Sequence, residues 1–258
     1  MTEEQPVVLV DIRDGIAVVT LNRPQNMNAI NLAMREELMR LASALDADKA
    51  VRVVVFTGAG EKAFCAGADL KERQSKSVDD LYDHRRQVNP RWVTAIASMH
   101  KPTIAAVNGY CLAGGLEIVL QCDLAIASDN AVFGSPEVSL GFIPAAGACQ
   151  RLPRLVGIAK AKELILTARR FDAAEALEMG LVIRVVPRAD VLQESIALAR
   201  KIAAHPSVAV TQAKIALNAS QETELSAGLR FENEVWLGCL LSDLWRDKLT
   251  RFAPRSDQ

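Results

Sequence analysis

The chain has 258 residues, half of them hydrophobic, which suffices for one large domain with a substantial core. Its 30 Lys and Arg nearly balance 31 Asp and Glu, leaving a formal net charge of −1. That balance argues against nucleic acid or an anionic membrane as a partner held by bulk charge.

The opening MTEEQPVVLV is acidic and has neither the basic start nor the apolar run of a secretion signal. No run reaches the length of a membrane span. The five cysteines (65, 111, 122, 149, 239) are odd in number and form no CxxC, which predicts reduced thiols in a cytoplasmic protein. The histidines at 84, 100 and 205 have no metal-ligand spacing and are expected at the surface.

Residues 7–12 and 16–21 are β-branched runs split by Arg13-Asp14-Gly15, and they predict a hairpin. Asn31 is placed to cap a helix running to about Leu45, with apolar residues at 34, 38, 41 and 45 on one face. A continuous apolar run at 52–57 predicts a strand buried on both faces. A Gly/Ala-rich loop is expected over 58–69, followed by charged and then helical sequence to about 99. Strands are predicted at 103–107 and 124–127, with a helix starting at GGLE between them. Residues 135–147 read as a loop, 148–180 as helices and 182–186 as a strand. From about 190 the pattern is helical, broken at Pro206. Strands alternating with helices give an α/β domain over 1–190, and 191–258 a helical region suited to oligomerisation and to covering a site.

Four segments have residue types that do chemistry. Phe64-Cys65-Ala66-Gly67-Ala68-Asp69-Leu70 follows a buried strand, and its small residues let a ligand approach free backbone N–H groups. In Asn108–Glu117 the glycines precede a helix, so the Gly114 N–H is free to face a ligand, and Glu117 falls in the first turn. Phe133-Gly134-Ser135-Pro136-Glu137 places a second carboxylate beside apolar and turn residues. Residues 141–147 form a Gly/Pro loop. Taken singly, these segments also read as a tight turn, a common first-turn glutamate, a surface acid and a loop into a helix.

In this order and spacing they are specific. Asn22-Arg23-Pro24 with Asn28-Ala29, FCAGADLKER, NGY…GGLE with Cys122-Asp123, FGSPE, and GFIPAAGACQRLPRLVG together resemble the crotonase family, the enoyl-CoA hydratase/isomerase superfamily. The resemblance implies a spiral core of ββα units with a C-terminal helical extension. It implies an acyl-CoA thioester as substrate, with coenzyme A a part of that substrate and no separate cofactor or metal. Two N–H groups, matched at Ala66 and Gly114, would polarise the thioester carbonyl. Glu117 would activate water and Glu137 would deliver the proton in hydrating a 2-enoyl-CoA. Met27, Asn28, Ala29, Ala66, Gly67, Ala68, Asp69, Leu70 and Gly114 match the positions that line the bound thioester. Relatives assemble as homotrimers or dimers of trimers.

FCAGADLKER is also close to the methylglutaconyl-CoA hydratase branch, which points to a branched or short acyl group. Some members of that branch bind RNA through a lysine-rich helix, but residues 36–46 here are not basic. The alternatives are double-bond isomerisation, which commonly needs a single base, and a noncatalytic acyl-CoA-binding protein. The chain departs from many hydratases at three places. Ala145 stands where a glycine is usual, and it would be strained if φ > 0 were required there. The tail lacks a Lys-Arg pair, leaving Arg246, Lys248, Arg251 and Arg255 as a basic face. Trp236 and Trp245 are expected in helix packing or a subunit contact.

Overall fold

The computed structural model describes residues 5–87, 89–92, 94–242 and 244–249, with the backbone alone at 84, 87, 89, 90, 244, 247 and 248. The side chains of His84 and Lys248, and Arg251 and Arg255 in the basic tail, lie outside the described residues.

β1 (Val8–Arg13) and β2 (Ile16–Leu21) pair antiparallel, as the alternating apolar pattern requires. Asp14 and Gly15 both take positive φ (52° and 77°), the turn an Asp-Gly pair favours between strands. β1 is exposed along most of its length and forms the sheet edge. In α1 (Leu32–Ala47), the Asn31 side chain accepts the Met34 N–H at 3.0 Å, and Met34, Leu38, Leu41 and Leu45 are buried along one face.

From here the chain repeats one manoeuvre. β3 (Val53–Gly58) is followed by the short β4 (Ala63–Cys65) and α2 (Leu70–Gln74). After α3 (Val78–Gln87) and α4 (Asn89–Trp92), β5 (Thr103–Val107) is followed by β6 (Tyr110–Leu112) and α5 (Gly114–Gln121). β7 (Leu124–Ser128) is followed by β8 (Val132–Gly134), a 3₁₀ turn at Pro136–Leu140, and α6 (Ala148–Val156) with α7 (Ile158–Thr167). β9 (Arg170–Asp172), α8 (Ala173–Glu178) and β10 (Arg184–Val186) complete the core.

Each unit gives one strand to each of two sheets. The larger has six strands in the order β1-β2-β3-β5-β7-β10, parallel from β2 onward, and the smaller has four in the order β4-β6-β8-β9. β3 and β5 are buried at every residue, as expected of parallel strands covered on both faces.

α9 (Val191–Ala203) packs on the outer face of the large sheet, where Leu192, Ile196, Ala199 and Ile202 meet Ile16, Val53, Val55 and Ile104. The helical region from 191 thus begins with a helix packed on the core sheet. α10 (Ser207–Ala219) is held by one buried cation. The Lys214 ammonium pairs with Asp123 at 2.7 Å and donates to the Lys101 carbonyl at 2.9 Å. α11 (Leu225–Leu240) buries none of its residues, and Leu225, Leu229, Trp236 and Leu240 are exposed; α12 (Leu244–Leu249) follows. Among the described residues no helix is long and apolar enough to cross a membrane.

Removing the Lys214 ammonium leaves Asp123 held by Thr103 alone, through the backbone N–H at 2.7 Å and the hydroxyl at 2.9 Å. Lys214→Ala is expected to cost about 3 kcal/mol, the lower end for breaking a buried pair. In thermal unfolding that appears as a loss of roughly 6–12 °C.

Candidate active site

β4, β6 and β8 are adjacent and parallel in the small sheet, so their C-terminal ends emerge at one edge. The residues that follow them are Ala66–Asp69, Ala113–Glu117 and Ser135–Glu137. Three of the four segments with candidate chemistry are thus gathered by strand pairing. The fourth, 141–147, reaches the same place by folding back onto Glu117.

The first two segments touch backbone to backbone. A Cβ on Gly115 would lie 2.2 Å from the Cys65 carbonyl oxygen, so only glycine fits there. Gly67 has φ 97°, and a Cβ on it would meet the Ala113 Cβ at 2.6 Å. Ala113, the residue before α5, sits at φ 50°, ψ −121°, a strained conformation for an L-residue.

This contact decides which N–H groups face outward. The Ala66 N–H donates to the Met27 carbonyl at 3.0 Å, so it is not a free donor, and the expectation of Ala66 as one of the two polarising N–H groups is corrected. The bridge between Ile30 and Ala68 uses the Gly67 carbonyl and the Asp69 N–H, which turns the Ala68 N–H away from that pairing. The Ala68 nitrogen lies 3.8 Å from where a Cβ on Gly114 would stand. The N–H groups of Ala68 and Gly114 have no hydrogen-bond partner among the described residues.

Glu117 is buried in the first turn of α5, and its Oε1 accepts from the Ala146 N–H at 2.5 Å and the Ala148 N–H at 3.2 Å. Burial pushes its carboxyl up to about 7. The two N–H bonds and the nearby Arg85 oppose that rise, and the charge of Glu137 adds to it. Glu137 is half-buried, and its Oε2 accepts from the Ser135 hydroxyl at 2.8 Å. The half-buried Cys149 thiol is raised by burial and then by both carboxylates, so all three groups share one locality. Ala145 is not among the residues with positive φ; Gly147 provides that turn with φ 120°. The alanine is thus accommodated without the strain expected of it.

The residues expected to line the thioester fall into two groups. Met27 and Asn28 take left-handed φ of 51° and 54° after the 3₁₀ turn at Pro24–Asn26. Asn28 is fully buried. Its amide nitrogen donates to the Ala59 and Ala63 carbonyls at 3.0 and 2.8 Å, and its oxygen accepts the Arg23 N–H at 3.0 Å. Asp69 pairs with Arg23 at 2.9 Å while accepting the Lys71 and Glu72 N–H groups at the start of α2. Burial acts to raise its carboxyl, but Arg23 and those N–H groups outweigh it and hold it below the usual range. The side chains of Asn28 and Asp69 therefore fasten the loops, and what these two positions offer a ligand is backbone. Met27, Ala29, Gly67, Ala68 and Leu70 border the same place, with Leu70 exposed at the start of α2.

Sequence reasoning placed Ala68 in the lining but not as a free donor, and it missed the Ala146 and Ala148 donors and the Ser135 hydroxyl. FGSPE held the one readable signal, a serine two residues before the carboxylate. The outward turn of Ala68 depends on a bridge to Ile30, 38 positions earlier, which no local pattern reveals.

Paired free N–H groups beside a buried carboxyl of raised proton affinity, with a second carboxyl nearby, define a site for stabilising an oxyanion while protons move. A sequence model of the enoyl-CoA hydratase/isomerase family matches residues 11–257. The chain is 43% identical over 248 residues to a Rhizobium meliloti protein named "Probable enoyl-CoA hydratase", covering 96% of this chain and 95% of that one. It is 39% identical over 249 residues to the short-chain-enoyl-CoA hydratase of Clostridium acetobutylicum, with the same coverages of 96% and 95%. The 1.8 Å crystal structure of enoyl-CoA hydratase from Bacillus anthracis superposes with a TM-score of 0.92 at 39% identity, covering 95% of each chain. The chain belongs to the enoyl-CoA hydratase/isomerase family.

The raised carboxyl has a consequence for stability. Between the ordinary carboxyl value of 4.5 and about 7, the folded state keeps the Glu117 proton that the unfolded state releases. The unfolded state binds fewer protons in that window, so stability falls as pH rises through it, by about 3 kcal/mol in total. Glu117→Gln removes the ionisation while keeping an oxygen for Ala146 and Ala148. The variant is expected to gain on the wild type in thermal midpoint as pH goes from 5 to 8. A gap that stays constant with pH would show that Glu117 ionises freely.

Proposed function

We propose that the chain is an enoyl-CoA hydratase, adding water across the 2,3 double bond of a 2-enoyl-CoA thioester. The observation that carries this is the juxtaposition of the Ala68 and Gly114 N–H groups with Glu117 and Glu137. As water adds at C3, electron density moves onto the thioester oxygen. Two fixed donors at that oxygen stabilise the developing charge without reorganising, each worth about 3–4 kcal/mol.

Glu117 takes the proton from water, for which a carboxylate of raised proton affinity is suited near neutral pH. Glu137, oriented by Ser135, delivers the proton to C2. Water is the only co-reactant, coenzyme A is part of the substrate, and no separate cofactor takes part. The paired carboxylates favour hydration over isomerisation. The exposed Leu225, Leu229, Trp236 and Leu240 of α11 support assembly into a homotrimer or a dimer of trimers, with Trp236 at a subunit contact. The scattered free cysteines support a cytoplasmic setting.

The test is the loss of enoyl-thioester absorbance on mixing the protein with crotonyl-CoA. Glu117→Gln and Glu137→Gln are each expected to lower kcat by about 10²–10⁴-fold. Since Glu117 acts ionised, kcat/KM should rise with pH through about 7 and that limb should vanish in Glu117→Gln. Full activity in either variant would exclude the two-carboxylate mechanism.

A further inference from the structure

α5 places Gly114, Glu117 and Gln121 at i, i+3 and i+7, so a free N–H, the buried carboxyl and the last side chain of the helix share one face. The Gln121 side chain is directed back along the helix, over the turn that holds Glu117. Gln121 is 3% exposed, and its Oε1 accepts the Ile96 N–H at 3.3 Å. That bond settles the orientation of the amide, because the opposite one would set two donors face to face. Nε2 is left buried with no hydrogen-bond partner among the described residues. A buried donor without an acceptor is costly, and the hydration chemistry does not use it.

Glu117 has the matching group. Its Oε1 accepts the Ala146 and Ala148 N–H groups, and its Oε2 has no hydrogen-bond partner among the described residues. With both N–H groups on Oε1, the proton of the neutral acid belongs on Oε2. An O–H there gives the amide nothing to donate to. An ionised carboxylate does, and side chains four residues apart on a helix are within reach of each other. The long bond to Ile96 allows the amide to tilt toward Glu117 while keeping its first partner.

We propose that Gln121 is a positioning residue for Glu117, its amide nitrogen donating to Oε2 once that carboxyl is ionised. The kinetic part of this rests on the hydratase reading. A donor that acts only on the charged form lowers proton affinity, so Gln121 opposes the rise that burial imposes. The charged groups that act on Glu117 are Arg85 on α3 and Arg35 on α1, which attract the carboxylate, and Glu137, which repels it. Arg151 on α6 lies against Gly147, between the two N–H donors. The thiols of Cys149 on α6, Cys65 in β4 and Cys111 in β6 are raised by burial and stay neutral. Substitutions at Gln121 leave all of these in place.

The experiment compares wild type with Gln121→Met, which removes both bonds of the amide, and Gln121→Glu, which keeps an oxygen for Ile96 and removes the donor. In kcat/KM for crotonyl-CoA, the limb that wild type shows at about 7 is expected roughly one pH unit higher in both variants, the size of one hydrogen bond to a charged group. Thermal unfolding from pH 5 to 9 reads the bond without chemistry. Stability held by the Glu117 proton is present at low pH and is lost as pH rises through the folded-state value, so a higher value prolongs the loss. The midpoint of Gln121→Met should fall roughly 3–5 °C further than that of wild type over this range. In a Glu117→Gln background, Gln121→Met should leave the pH dependence unchanged. A limb and a thermal slope that neither variant alters overturn the proposal and leave the hydratase intact. A limb that moves in Gln121→Met but not in Gln121→Glu assigns the effect to the Ile96 bond and overturns the proposal. The thermal difference without turnover of crotonyl-CoA keeps the hydrogen bond and overturns the hydratase reading.

Discussion

The Cys65 carbonyl oxygen occupies the space where any side chain on Gly115 would begin. Most of the site depends on this contact between two backbones. It brings the end of β4 against the start of α5, sets Ala113 in its strained conformation, and leaves the Ala68 and Gly114 N–H groups close together without a partner among the described residues. Strain at Ala113 persists because both sides are fixed: β6 is paired with β4 and β8, and α5 is buried along nearly its whole length. The backbone at both N–H groups is therefore fixed by packing within the protein.

Electrostatics completes what packing begins. Asn28, Arg23 and Asp69 tie the first two loops together through hydrogen bonds and one ion pair, all satisfied within the protein. Those groups are quiet because each has its partner. Glu117 is treated differently. It receives two N–H bonds on one oxygen, yet burial outweighs them. The structure stabilises the loops with balanced charges and keeps an unbalanced one at Glu117, the condition that suits a group for moving protons.

Sequence patterning found the long elements because their period is strong. α1 was legible from apolar spacing and the Asn31 cap, and β3 and β5 from continuous apolar runs. The entire small sheet was not. β4, β6, β8 and β9 have three residues each, too short for a period of two to stand out, and they lie inside stretches read as loop or helix start. That sheet is what gathers the site. The segments with chemistry were thus recognisable as motifs while the reason for their adjacency was not. The same blindness explains Ala66. Small residues marked the loop as one with exposed N–H groups, but which N–H faces outward is set by Met27 and Ile30, in a different element.

The centre of the site and its surroundings lie on different parts of the chain. The donors and both carboxylates follow the short parallel strands, whose positions are fixed by sheet pairing. Arg73 and Arg85 stand on α2 and α3, short helices outside both sheets with few buried residues. Neither helix takes part in the backbone contact between Cys65 and Gly115. Changes at Gly67, Ala113 or Gly115 reach the chemistry directly. The strand ends and the outer helices are thus held by interactions that hardly overlap. The 142–146 loop is where they meet. Its backbone steadies Glu117 through Ala146, and its Phe142 ring and Ala145 carbonyl anchor Arg73 and Arg85. A displacement of either arginine is therefore felt, through one short loop, at the buried carboxyl whose proton affinity is raised.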